Sequence, residues 1–111
     1  MKKREEPDWL FSTRWVHVFE EDSDQGDVYR PENSQIPLSR RPRERLELRR
    51  DGSASVFTAS PDDRLVEQPA SWTKEKGQLV VRAKEGGAEV RIVESSDARL
   101  VVKVKRGSRT G

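Results

Sequence analysis

Cysteine is absent, histidine and tyrosine occur once each, and aromatic residues make up only 6% of the chain. Without cysteine there are no disulfides, no cysteine-ligated zinc and no thiol nucleophile. A single histidine, His17, argues against a structural zinc site, which usually draws on several His or Cys ligands. No apolar run is long enough to span a bilayer, and Met1-Lys2-Lys3-Arg4-Glu5-Glu6 lacks the apolar segment of a signal peptide. The expectation is a cytoplasmic protein with no membrane partner. Nucleophile motifs, phosphate-cradling glycine loops and framed acid pairs are missing as well. The sequence therefore leans away from an enzyme and implies no particular cofactor.

Charge is what the chain has in quantity. Charged residues are 38% of its 111 positions and hydrophobic ones 32%. The 22 basic and 20 acidic residues leave a net charge of +2 and are interspersed, so nucleic acid is a disfavoured partner. The length suits one domain, expected as a monomer or weak homodimer. Roughly a dozen inward apolar residues at about 1.5–3 kcal/mol each make a modest core. Backbone ordering opposes it at about 1–2 kcal/mol per residue. A large empty cavity is hard to sustain on that margin.

Residues 1–8 read as a flexible charged lead-in, and Trp9-Leu10-Phe11 as a short turn or plug at one end of the core. Residues 14–21, Arg-Trp-Val-His-Val-Phe-Glu-Glu, are the most apolar and aromatic run. They predict a first strand with Trp15, His17 and Phe19 on one face and Val16 and Val18 on the other. An acidic loop over residues 20–27 leads to Val28-Tyr29-Arg30-Pro31 and a long connection ending near Arg43, with room for a short irregular strand.

From Glu44 the pattern is regular. Leu46 and Leu48 alternate with charges, Asp51-Gly52 signals a two-residue hairpin, and Val56 and Phe57 centre the next strand. Turns follow at Ser60-Pro61-Asp62-Asp63, Lys76-Gly77, Glu85-Gly86-Gly87 and residues 95–98, between runs carrying Trp72, Leu79–Val81, Val90–Val93 and Leu100–Val104. Pro69 marks an edge, a bulge or a strand start. The prediction is an all-β, antiparallel up-and-down barrel of about seven to eight strands, without substantial helix, over residues 9–106. A sandwich would show the same alternation, and residues 107–111 form a flexible tail. Predicted inward positions are Trp15, His17, Phe19, Leu46, Leu48, Phe57, Trp72, Leu79, Val81, Val90, Ile92, Leu100, Val102 and Val104.

An apolar lead-in, Phe11-Ser12-Thr13-Arg14-Trp15 opening the first strand, a long first connection and then a run of hairpins resemble the lipocalin and calycin plan. The family opens on Gly-any-Trp, with the Trp at the closed base of the barrel. Trp15 stands at the Trp, and Thr13 stands where the Gly would be. Small bacterial lipocalin-like and META-type domains are the nearest in size. The resemblance implies a barrel with one open end, an apolar ligand, and a basic residue, Lys105 or Arg106, lying across Trp15.

Two sets of site residues follow. Trp15, His17, Phe19, Tyr29, Phe57 and Trp72 are candidates for lining a cavity that binds an apolar or amphipathic small molecule. Its mouth would come from residues 22–42, since loops on rigid scaffolds commonly carry binding. The alternative is an interaction module. The densest basic run extends from Arg40 to Arg50, and Arg40, Arg41, Arg43 and Arg45, with Tyr29 and Arg30 nearby, would meet an anion or acidic partner through bidentate guanidinium contacts. The blander reading of that run is a solvated ladder, with Glu47 embedded among Arg43, Arg45 and Arg49. His17, the single imidazole of the chain, could serve as base or haem ligand, or simply as a hydrogen-bonded rim residue. The acids Glu20, Glu21, Asp22, Asp24 and Asp27 could gather a hard cation, but their spacing is not that of an EF-hand and a solvated loop accounts for them.

Overall fold

Alternation from Glu44 onward gives each strand one apolar row, and such rows are stable only when the sheet curls round to cover them. The computed structural model describes residues 6–84 and 88–105. It contains a one-turn helix α1 (Asp8–Phe11), β1 (Trp15–His17), a 3-10 turn (Phe19–Glu21) and β2 (Asp27–Pro31). These are followed by β3 (Arg45–Leu48), β4 (Ser53–Ala59), β5 (Leu65–Glu75), β6 (Gln78–Ala83), β7 (Glu89–Ser96) and β8 (Arg99–Lys105). The eight strands close into one antiparallel barrel, running alternately up and down around the ring. Closure decides against the sandwich, each strand having a neighbour on both sides for at least part of its length. Among the described residues no helix is long and apolar enough to cross a membrane.

Ring order is not chain order. Strands β3 to β8 form a continuous meander, and the β1–β2 hairpin is inserted between its two ends, β2 beside β8 and β1 beside β3. β2 and β3 therefore point the same way, and residues 32–44 travel the length of the barrel outside β1 to join them. Val16, on the outer side of β1, is only 3% exposed and shares a cleft with Ile36 and Pro37 of this crossover. A long first connection is among the features read from the sequence as lipocalin-like. Here the first connection is residues 18–26, and the long one is the second.

The closed end is built as the Trp9-Leu10-Phe11 run predicted. Leu10 is buried in the core, the Trp15 indole N–H donates to the Leu10 carbonyl at 3.3 Å, and Trp9 meets Trp15 edge-on at 6.2 Å. Phe11 lies against Trp72 at 5.5 Å, under the Arg50 guanidinium. Trp72 in turn donates its indole N–H to the Arg49 carbonyl at 2.6 Å. Lys105 is exposed at the opposite end of β8 from this cluster and so does not cover Trp15; Arg106 lies outside the described residues. The Glu85-Gly86-Gly87 turn and the tail lie outside them too.

Two predicted inward residues are corrected. Phe57 faces outward and Val56 faces in, because the register is Leu46 to Val56 and Arg45 to Phe57. The hairpin closes with Leu48 opposite Ala54, and Arg49 bonded to Ser53 at 2.9 Å, around a loop of residues 50–52 with Gly52 at φ 94°. That is a three-residue hairpin with a left-handed final residue, one residue longer than Asp51-Gly52 alone suggested. A slip of one position turns every side chain of a strand to the other face. Phe19 is likewise not on β1. It opens the 3-10 turn and is 53% exposed.

Pro69 sits within the eleven-residue β5, opposite Ser55. Its polar side faces the neighbour β6, and the N–H it lacks is the one that would complete a pair with Lys84, so the β5–β6 pairing stops at Ala70 and Ala83. Its carbonyl still accepts from the Lys84 N–H at 3.0 Å.

Candidate functional site

At the end of the barrel opposite α1, three segments surround a cleft of about 840 Å³. The first hairpin supplies His17, Phe19 and Asp27, the crossover supplies residues 38–44, and the β4–β5 turn supplies Ala59, Ser60 and Pro61. Beneath it lies the buried core. Trp15, Tyr29, Leu46, Leu48, Trp72, Leu79, Val81 and Leu100 belong to one contiguous buried cluster, consistent with the thin margin that the composition allows.

His17 is the hinge of the rim. Its N–H bonds to the Glu44 carbonyl at 2.9 Å, and its ring stacks on Tyr29 at 5.1 Å, the residue facing it across the β1–β2 pair. Ring Nε2 lies 3.0 and 3.1 Å from the two carboxylate oxygens of Asp22. Asp22 is held there because its Oδ1 also accepts the Val28 N–H at 2.9 Å. Asp27 is two residues from Tyr29 on β2 and therefore on the same face; ligand atoms of His17, Asp22 and Asp27 all fall within 4.8 Å of one another.

The tight turn that returns the chain from Asp22 to Asp27 depends on Gly26. It has φ 146°, and a Cβ there would lie 2.4 Å from the Val102 carbonyl oxygen. Only glycine accepts both the conformation and the approach to β8.

Arg43 fastens the rim from below. Its side chain is 7% exposed and donates to the His17 carbonyl at 3.0 Å, to both oxygens of Glu20 at 3.0 and 2.7 Å, and to the Pro37 carbonyl at 2.8 Å. It also lies over the Phe19 ring at 4.8 Å. The Arg43 hydrogen bond holds the Glu20 carboxyl below its ordinary range, against a smaller opposing effect of desolvation. These contacts occupy the guanidinium fork within the chain itself.

The remaining basic residues divide. Arg45 pairs with Glu32 at 2.6 Å, and Arg49 reaches Ser53 and Ser55 at 2.9 and 2.7 Å. Arg14 pairs with Glu47, so the outer face of β3 is the ladder with embedded acids. Arg41 has a long contact with Asp63 at 3.5 Å. Arg40 makes no hydrogen bond or ion pair with the described residues and stands on the cleft wall.

Of the six residues expected to line a cavity, His17 and Phe19 line the cleft. Trp15, Tyr29 and Trp72 are packed in the core, which also removes Tyr29 from any outer interaction face, and Phe57 lies outside. Of the four basic candidates, Arg40, Arg41 and Arg43 border the cleft, whereas Arg45 does not. The sequence reading missed the tie between His17 and two members of the acidic loop. The available signal was the hairpin: once Tyr29 is set opposite His17, Asp27 must share their face. It also missed Leu38, which is wholly exposed at the lip. No family model matches this chain, nor does any curated protein or solved structure.

Proposed function

We propose that this protein is a small-molecule binding module that takes an amphipathic anion at the open rim of its barrel. The observation that carries the reading is the rim cleft, whose walls combine the exposed ring of Phe19, Leu38 and Pro61 with the guanidinium of Arg40, which has no partner among the described residues. Its volume of about 840 Å³ falls in the range usual for ligand sites, roughly 300–1,000 Å³. An apolar body would rest on Phe19 and Leu38, and an acidic head would meet Arg40 and Arg41. The likeness to lipocalins enters only as analogy for binding at a barrel's open end, with the ligand at the rim and not within the core. The absence of cysteine accords with a cytoplasmic setting.

The second reading, an interaction module, draws on the same rim, because a wholly exposed Leu38 beside Arg40 would also suit a protein partner. A calorimetric series separates them. Alkyl carboxylates of increasing chain length should bind with rising affinity, the matching alcohols should bind poorly, and Arg40→Ala should remove the difference. Equal binding of acids and alcohols, or none of either, would defeat the small-anion reading.

A further inference from the structure

We propose that His17, Asp22 and Asp27 form a binding site for a divalent transition-metal ion of the zinc or manganese class, set in the wall of the rim cleft. Three separate positions of the first hairpin contribute: β1, the loop after the 3-10 turn, and the first residue of β2. Imidazole with two carboxylates is a donor set suited to such ions, and a three-ligand site leaves positions open to solvent or an incoming ligand. Bonds of about 2.0–2.2 Å place neighbouring ligand atoms roughly 3–3.5 Å apart. His17 Nε2 and the Asp22 oxygens already stand at 3.0 and 3.1 Å, and the third ligand atom lies within 4.8 Å.

The supporting shell is equally specific. Both Asp22 oxygens face the same ring nitrogen, and the Val28 N–H fixes that carboxylate. Stacking on Tyr29 fixes the imidazole plane. Outer contacts of this kind orient metal ligands and raise affinity. Asp27 supplies the observation that a hydrogen-bonded His–Asp pair leaves unexplained. Its half-buried carboxylate makes no hydrogen bond or ion pair with the described residues, although it sits beside a second carboxylate. A cation between the two acids would offset that repulsion. His17 and Asp27 also line the cleft, so the ion's open positions would face any anionic group held there.

The test uses tag-free protein, because His17 is the only histidine and gives a single imidazole signal. Zinc chloride and cobalt chloride are titrated alone, so the outcome does not depend on the organic ligand proposed above. The expected result is one saturable ion per chain, displacement of the His17 ring nitrogen resonances by zinc, and visible absorption from bound cobalt. Asp27→Asn, which breaks no side-chain bond with the described residues, should weaken binding roughly tenfold or more, and Asp24→Asn, in the same loop but outside the cluster, should leave it unchanged. Unmoved His17 resonances, or equal affinity in wild type and Asp27→Asn, would overturn the proposal.

Discussion

Arg43 and Glu20 meet in a two-pronged ion pair at 2.7 and 3.0 Å, bringing the end of the crossover against the turn that follows β1. The same guanidinium binds the backbone of His17 and Pro37, so one side chain joins the first hairpin to the crossover. Arg43→Ala strands two carbonyls and a carboxylate. It should cost about 2–3 kcal/mol in urea unfolding. Arg43→Lys should recover little, because an ammonium keeps the charge without the planar fork.

The pair also gives a pH signature. Arg43 holds the folded-state pKa of Glu20 below its ordinary 4.5. A carboxyl lowered by folding stabilises the protein fully above the unfolded value and loses that contribution as pH falls through the folded value. The gap in unfolding midpoint between wild type and Glu20→Gln should therefore be flat above about pH 5 and close as the solution becomes more acidic. Asp51, Asp62 and Glu75 are lowered in the same direction by their own partners. Subtracting the Gln variant isolates Glu20 from them.

Two glycines separate conformational from steric demands. Gly77 has φ 83° and open space where a Cβ would stand, whereas Gly26 has φ 146° and the Val102 carbonyl oxygen at 2.4 Å. Gly77→Ala should cost about 1 kcal/mol. Gly26→Ala should cost about 2–4 kcal/mol, because the turn must also move away from β8. Thermal unfolding of the two variants side by side measures the difference.

At the closed end, Leu10→Ala should cost about 2–4 kcal/mol for a buried leucine removed from a packed cluster. The rim should be unaffected: His17 ring resonances in the variant should stay where they are in wild type.

Much of the architecture was legible from the residues alone. Alternation around Leu46, Leu79 and Val90 defined the meander strands, and Lys76-Gly77 forms the turn it announces, with both residues at positive φ. The ring order was not legible, because alternation says which face is buried and nothing about which strand lies alongside. Phe57 was misplaced for a local reason, since Arg50 joins the Asp51-Gly52 loop and shifts the parity of β4. The cleft was half legible. The run from Arg40 to Arg45 announced positive charge, but only three-dimensional pairing shows Arg45 engaged with Glu32, Arg43 with Glu20, and Arg40 without a partner among the described residues. His17 stood out by rarity, and its partners Asp22 and Asp27 were hidden in a loop whose acidity looked like solvation.

The most direct measurement is backbone amide chemical-shift mapping of the tag-free protein during titration with a medium-chain alkyl carboxylate. The expected result is saturable shifts confined to His17 and Phe19, Asp27, residues 38–41, 43 and 44, and the β4–β5 turn at Ser60. Shifts centred instead on Trp15, Trp72 and Leu100 would place the ligand inside the barrel and contradict it.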